Sequence, residues 1–436
     1  MTTDPTHTTV TRDSSGLGAL TADSALSGDG LWLHTPDGRS LLDAASGTFN
    51  LPLGYAHPHV VTAVQEQAGR VSHASSHFTR PAGAALATRL LAHAPEQLSR
   101  GWIRDVSGST ANECAVKIAQ KYTGRRQVVS FFLSHHGQTM ATTAMSGNAF
   151  RRRHFPATAT TETLVVPGAY CHRCFYNSSY PSCQALCATR IEDFLEYASS
   201  GDVAAVLVEP VLGNGGNIVP PPEFFRELRR ICDRHGIVLI ADEVQTALGR
   251  TGHMFASQRL GLEPDVITLA KGLGGIGLPI GAVLMREELD VLDAHEHSFT
   301  SGASLLGLAA AHATLDVLEQ PGFLERVDAL GETLGARLRD LADEVPAVSD
   351  VRGLGYMWGI ELSRPDGSPD PELARETIAA AESGHDLVVR GSRYGLGNVV
   401  KVRPALVAEE RDLDDICARL RLALLDATKT LESDRR

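Results

Sequence analysis

Between residue 58 and about residue 300 the chain alternates two hydrophobic patterns. Short continuous apolar runs (VVSFF from Val128, TLVVP from Thr163, AAVLVEP from Ala204, IVLIADE from Ile237, VITLA from Val266, GAVLM from Gly281) have the form of strands buried on both faces. Between them PEFFRELRRICDRHG places apolar residues at helical spacing, starts after prolines and stops at Gly236. Strands alternating with helices predict an α/β class, with a mostly parallel sheet covered by helices on both faces. Upstream, LWLHTPDGRSLLDAASG reads as two short strands around a Pro36-Asp37-Gly38 turn. Downstream, ASLLGLAAAHATLDVLE reads as a long helix, VRGLGYMWGIEL and NVVKVRPAL as strands, and the stretch from Asp412 as a final helix. The expected organisation is a polar, Thr-rich tail over 1–20, a first part of a small α+β domain over 21–60, a large domain over 61–304, and the rest of the small domain over 305–436.

Composition narrows the function classes. At 436 residues the chain exceeds one ordinary core. Its 43% hydrophobic and 21% charged residues are those of a soluble globular protein. A net charge of −12 without a long basic run argues against a nucleic-acid partner. The N-terminus lacks the basic start and apolar core of a signal peptide, and no apolar run reaches the ~18 residues of a membrane span. A cytoplasmic location is the expectation, and there the seven cysteines would not form structural disulfides.

The strongest chemical signal lies between Val206 and Val283. Asp242 ends the strand IVLIA, which puts its carboxylate at the sheet edge where α/β proteins bind ligands. Lys271 follows the strand VITLA and precedes the glycine-rich GLGGIG. A lysine there is partly desolvated, which lowers its pKa and frees the amine for Schiff-base chemistry. A carboxylate facing a pyridine nitrogen keeps that nitrogen protonated and makes the ring an electron sink. Together the two residues suit pyridoxal 5′-phosphate, although either alone is equally compatible with a helix cap or a surface ion pair.

DEVQTALGRTG and the lysine in TLAKGLGGIGLPIGA resemble the class III, fold-type-I pyridoxal-phosphate aminotransferases over about residues 30 to 425. The resemblance implies a large sheet domain, a small domain built from both chain ends, and a homodimer with active sites at the interface. It implies amino-group transfer between an amino acid or amine and an oxo acid or aldehyde. VSGSTANECAVKIA is similar to the family's phosphate loop and points to Ser107, Gly108 and Ser109, before a helix whose N-terminus attracts a phosphate. HSFTSGASLL resembles the segment that sends a threonine, here Thr300, to the neighbouring subunit's phosphate. By the same resemblance Gln245 contacts the cofactor's ring hydroxyl and Val244 lies under the ring.

Three positions depart from the family pattern. His135, in SHHGQT, stands where an aromatic ring usually stacks on the cofactor; a histidine can also move protons. Asn214 replaces a glutamate, and Lys401 stands in place of an arginine that often binds the substrate carboxylate. Arg403, two residues on, shares a strand face with Lys401. Lys401 and Arg403 are therefore candidates to grip a substrate carboxylate, or else surface charges at a strand end. These departures keep racemisation, decarboxylation, elimination and carbon–carbon bond formation open as alternatives, since all share one carbanion chemistry.

Finally, YCHRCFYNSSYPSCQALCA places Cys171, Cys174, Cys183 and Cys187 within seventeen residues. The first pair has a zinc-hairpin spacing and four thiolates could hold zinc or an iron–sulfur cluster. Reduced, partly buried cysteines are the plainer alternative. Cys114, Cys232 and Cys417 fall in helical patterns and are expected in the core.

Overall fold

All six apolar runs are strands of one seven-stranded sheet in the computed structural model, which describes residues 26–153, 162–392 and 396–434. The expected tail over 1–20 lies outside the described residues. The order across the sheet is Arg100–Asp105, Gly281–Met285, Val266–Leu269, Val238–Asp242, Val203–Val208, Gln127–Phe131, Thr163–Val166. Gly281–Met285 runs antiparallel to both its neighbours, and the remaining ladders are parallel. The hydrophobic pattern did not announce Arg100–Asp105. Its sequence, RGWIRD, is charged at both ends, and only Ile103 and Asp105 are buried at that sheet edge.

Side chains alternate across this sheet as the strand period requires. Val206, Leu239 and Ile267 pack on one face with Phe224, Phe225 and Leu228. Leu207, Ile240 and Val266 pack on the other with Ala115, Ile118 and Ala119. The helix Pro222–His235 starts on a proline and ends at Gly236, whose φ of 60° gives the left-handed cap that glycine accepts at least cost. Each large apolar side chain it buries contributes about 1.5–3 kcal/mol. Five parallel strands end at one sheet edge, and the residues that follow four of them include His135, Glu209, Glu243 and Lys271.

Both chain ends meet in a second sheet. Ser27–Asp29, Trp32–His34 and Ser40–Asp43 form a meander, and Ser40–Asp43 pairs in parallel with Leu387–Val388. The turn between the second and third strands closes where Gly38 N donates to Thr35 O at 3.0 Å. A third sheet joins Val348–Leu354, Met357–Leu362, Val399–Val402 and Arg390–Gly391. The long helix Leu305–Leu318 is capped by Ser304, and the final helix Glu410–Asp434 starts two residues before Asp412. Cys114, Cys232 and Cys417 are buried in helices.

Candidate active site

Asp242 ends its strand almost completely buried, and three groups hold it. Its Oδ2 accepts from Asn112 Nδ2 and from His136 Nδ1, each at 2.8 Å, and its Oδ1 accepts from Val244 N at 3.1 Å. A carboxylate only accepts, so the His136 proton sits on Nδ1. Asn112 is itself fixed by Thr268 Oγ1 at 2.7 Å and by the His136 carbonyl at 2.8 Å. Burial pushes the Asp242 carboxyl up. The His136 hydrogen bond and charge, then Lys271 and Asn112, outweigh burial and hold it below the ordinary carboxylate value.

Lys271 follows the adjacent strand with φ of 43°, a left-handed conformation that costs a non-glycine residue about 1–2 kcal/mol. Strain of this kind concentrates at functional sites. Burial drives its amine down to about 8, with Arg403 adding to the effect and Asp242 and Glu209 opposing it. Glu209 follows a third strand. Its Oε1 accepts from His135 N at 2.8 Å and its Oε2 from Gly213 N at 2.9 Å. Burial lifts its carboxyl to about 6.

These residues open onto one cavity of about 330 Å³, lined also by Ser107, Gly108, Ser109, His135, Val244 and Gln245. Ser107 caps the helix Gly108–Thr123, its side chain accepting from Thr110 N at 3.2 Å. Gly108 and Ser109 form the first turn, whose N–H groups have no partner within the helix and make up the positive end of its dipole. A Cβ at Gly108 would stand 2.6 Å from Val244 Cγ1, so glycine lets this turn lie against the valine. The donor set fits pyridoxal phosphate: an amine of lowered pKa, a buried carboxylate, and a helix N-terminus share a cavity of ligand-binding size.

Comparison with known proteins agrees with this geometry. The family model described as aminotransferase class-III matches residues 24–424. The chain belongs to the class III aminotransferases. An acetylornithine aminotransferase of Gloeobacter violaceus is 37% identical, covering 90% of this chain and 91% of its own. A 5-aminovalerate aminotransferase of Pseudomonas putida is 35% identical over 87% and 88%. A leucine/methionine racemase of Thermococcus litoralis is also 35% identical, over 89% and 87%. Among solved structures, a pyridoxal-phosphate-bound amine transaminase of an uncultivated Pseudomonas species superposes with a TM-score of 0.85 at 28% identity, over 94% and 98%. The enzyme is thus a fold-type-I, pyridoxal-phosphate-dependent aminotransferase.

The aminotransferase places the remaining expected residues less uniformly. Thr300 is exposed and outside the cavity lining of its own chain. His297, three residues earlier, is anchored to the end of the strand Arg100–Asp105, which precedes Ser107, through Asp105 Oδ1 at 2.9 Å. Lys401 and Arg403 are buried, at 2% and 1% exposure, so the surface-charge alternative is wrong for both. Neither lines the cavity, and both heads lie over the Phe49 ring, at 4.9 and 4.0 Å from its centroid.

Cys171, Cys174, Cys183 and Cys187 do line one small pocket, and none is in a disulfide. No three of their sulfurs lie within 4.8 Å of one another. Tetrahedral zinc with bonds of about 2.3 Å needs sulfurs about 3.8 Å apart, so the loop would have to close around an ion. Asn112, His136 and Glu209 are site residues that sequence reasoning left without a role. Asn112 sits one helical turn after Gly108, and that spacing was the available signal.

Proposed function

We propose that Lys271 and Asp242 carry the amino-transfer chemistry, with the donor an amino acid or amine and the acceptor an oxo acid or aldehyde. The observation that carries this is their common opening onto one cavity from adjacent strand ends. When bound, pyridoxal phosphate supplies an aldehyde that captures amines and a protonated ring that accepts an electron pair. Lys271 would hold that aldehyde and would move a proton at the substrate carbon. Asp242 holds the proton on the ring nitrogen. Ser107, Gly108 and Ser109 bind the phosphate, and Thr300 reaches the phosphate of a second subunit. Val244 and His135, which line the same cavity, would hold the ring, and Gln245 its hydroxyl.

On the substrate side, Lys401 and Arg403 are buried beside Phe49 and do not line the cavity, so the reading of an amino-acid substrate rests on the relatives. The similarity to acetylornithine and 5-aminovalerate aminotransferases supports that reading. The test is a single turnover with a panel of amino acids and amines. Stoichiometric oxo product with amino-form cofactor is the expected result. Product without that change, above all inversion of an amino acid as in the racemase relative, would select the second reading.

The chain works, in this proposal, as a cytoplasmic homodimer divided into a large domain over 61–304 and a small domain over 21–60 and 305–436. No helix among the described residues is long and apolar enough to cross a membrane. The four cysteines form a structural metal site, and their convergence on one pocket supports this.

A further inference from the structure

We propose that Arg403 is a positioning residue for Gln245, turning its amide so that the NH2 end faces the cofactor cleft. The inference rests on the cofactor seat proposed above and goes beyond it by giving Arg403 a role other than substrate capture.

The argument begins with donor chemistry. A guanidinium has donors and no acceptor, so a glutamine side chain that hydrogen-bonds to it must present its carbonyl oxygen. Arg403 Nη1 donates to Gln245 Oε1 at 2.6 Å. Gln245 lines the cleft and Arg403 does not. With its carbonyl committed to Arg403, the glutamine has only N–H groups left to offer. Arg403 in turn has little freedom. Its Nη2 donates to Gly213 O at 3.0 Å and also to Asn217 Oδ1. Its own backbone is tied at both ends, N to Ala44 O and O to Ser46 Oγ, each at 2.7 Å. The Phe49 ring covers the guanidinium face. Nη2 is thus spent on two protein oxygens and Nη1 gives one hydrogen to Gln245, while Nε is buried without a partner, so a substrate carboxylate could take Nη2 only by breaking this set.

Two neighbours are shaped to the contact. A Cβ at Gly213 would stand 2.2 Å from Gln245 Oε1 and 3.1 Å from Arg403 Nη2, so a side chain there would push the pair apart. Asn217 adopts the left-handed conformation, φ 54°, and is itself held by Nδ2 to Trp358 O at 2.7 Å.

A donor aimed at the cofactor's ring oxygen stabilises that oxygen as an anion, and the arginine acts on it by polarising and orienting that amide. The charged groups around the pair are Glu209 and Arg250 beside Arg403, and Asp242, Glu209 and Arg403 beside Lys271. Loss of the oriented donor should raise the pH midpoint of the cofactor's absorption bands.

The test is a spectral pH titration of the holoenzyme, with borohydride reduction and peptide mapping to locate the cofactor. Arg403→Met is expected to raise the midpoint by roughly one pH unit. In a Gln245→Ala background the same change should move it by less than about 0.3, because the arginine acts through the amide. Gln245→Glu serves if Arg403→Met fails to fold. It keeps the contact with Arg403 and turns an oxygen to the cleft, so its midpoint should exceed that of Gln245→Ala. An equal Arg403→Met shift in both backgrounds, or a Gln245→Glu midpoint no higher than that of Gln245→Ala, overturns the inference while leaving the seat intact. Cofactor mapped to a residue other than Lys271 overturns the seat and the inference together.

Discussion

Asp242 and His136 are bound to each other at 2.8 Å in a setting where both side chains are shut off from solvent. The pair couples the loop after one strand to the end of another. It also supplies the leading force that keeps Asp242 ionised against burial. Asp242→Asn should retain cofactor and lose most turnover, since an amide does not hold a proton on the ring nitrogen. Lost electrostatic stabilisation of this kind costs about 3 kcal/mol, or roughly a hundredfold in rate. Steady-state kinetics of the cofactor-loaded variant checks this; rates near those of the parent would place another group against the ring nitrogen.

Lys271 leads to a prediction about pH in the cofactor-free protein. Its amine is lowered from 10.5 to about 8, so at neutral pH its reactive neutral fraction is roughly 300-fold that of an ordinary lysine. Capture of an added aldehyde should rise with pH and level off above about 8. For stability the sign follows from proton counts. Between pH 8 and 10.5 the unfolded chain holds this proton and the folded chain does not, so stability rises with pH across that window. Lys271→Met should remove this rise and abolish borohydride-trappable cofactor while staying folded. A plateau only above pH 10 would contradict the burial argument.

The parts of this fold that could be read in the chain are those where one physical demand acts alone. Strands such as Val238–Asp242 are buried on both faces and so are continuously apolar. Arg100–Asp105 escaped because an edge strand satisfies solvent as well as the sheet. Asp242 and Lys271 stood out because each ends or follows an apolar strand inside a longer motif, DEVQTALGRTG for one and TLAKGLGGIG for the other. Asn112 and Glu209 did not, since their roles depend on partners from other elements along the chain: His136, Asp242 and Thr268 for Asn112, and His135 for Glu209, whose other partner, Gly213, is local. Alternation placed Lys401 and Arg403 on one strand face, but nothing local could say that the face is buried beneath Phe49.

Thr300 is exposed and lies outside its own chain's cavity, which suits a role in a neighbour's site. Mixed dimers resolve the question. In a dimer of one Thr300→Ala subunit and one Lys271→Ala subunit, a threonine that serves the neighbour puts both defects in one site and leaves the other whole. A threonine that serves its own site damages both. One tightly held cofactor per dimer is therefore the expected count, and loose cofactor in the only lysine-bearing site would overturn the cross-subunit role.

The cysteine loop gives the last prediction. It is held on one side by polar contacts. Glu361, fully buried, accepts from Tyr170 Oη at 2.5 Å, from Arg352 Nη1 at 2.6 Å and from Arg173 Nε. Cys171 and Cys174 flank Arg173, so the first pair of thiols is carried by residues already anchored to the third sheet. Cys183 and Cys187 are carried on the turn and short helix that follow, where Cys187 packs against the main core. A metal ion or cluster held by all four would cross-link these two anchors, and its binding energy would add to local folding energy. One equivalent of zinc, or one iron–sulfur cluster, per subunit is expected from elemental analysis of protein purified anaerobically without chelator. Cys171→Ser with Cys174→Ser should then lower the melting temperature or weaken dimer formation while leaving cofactor absorbance unchanged. Four thiols freely titratable in the folded protein, with neither zinc nor iron present, would mean that Glu361 and the core alone hold the loop and that the cysteines are simply reduced.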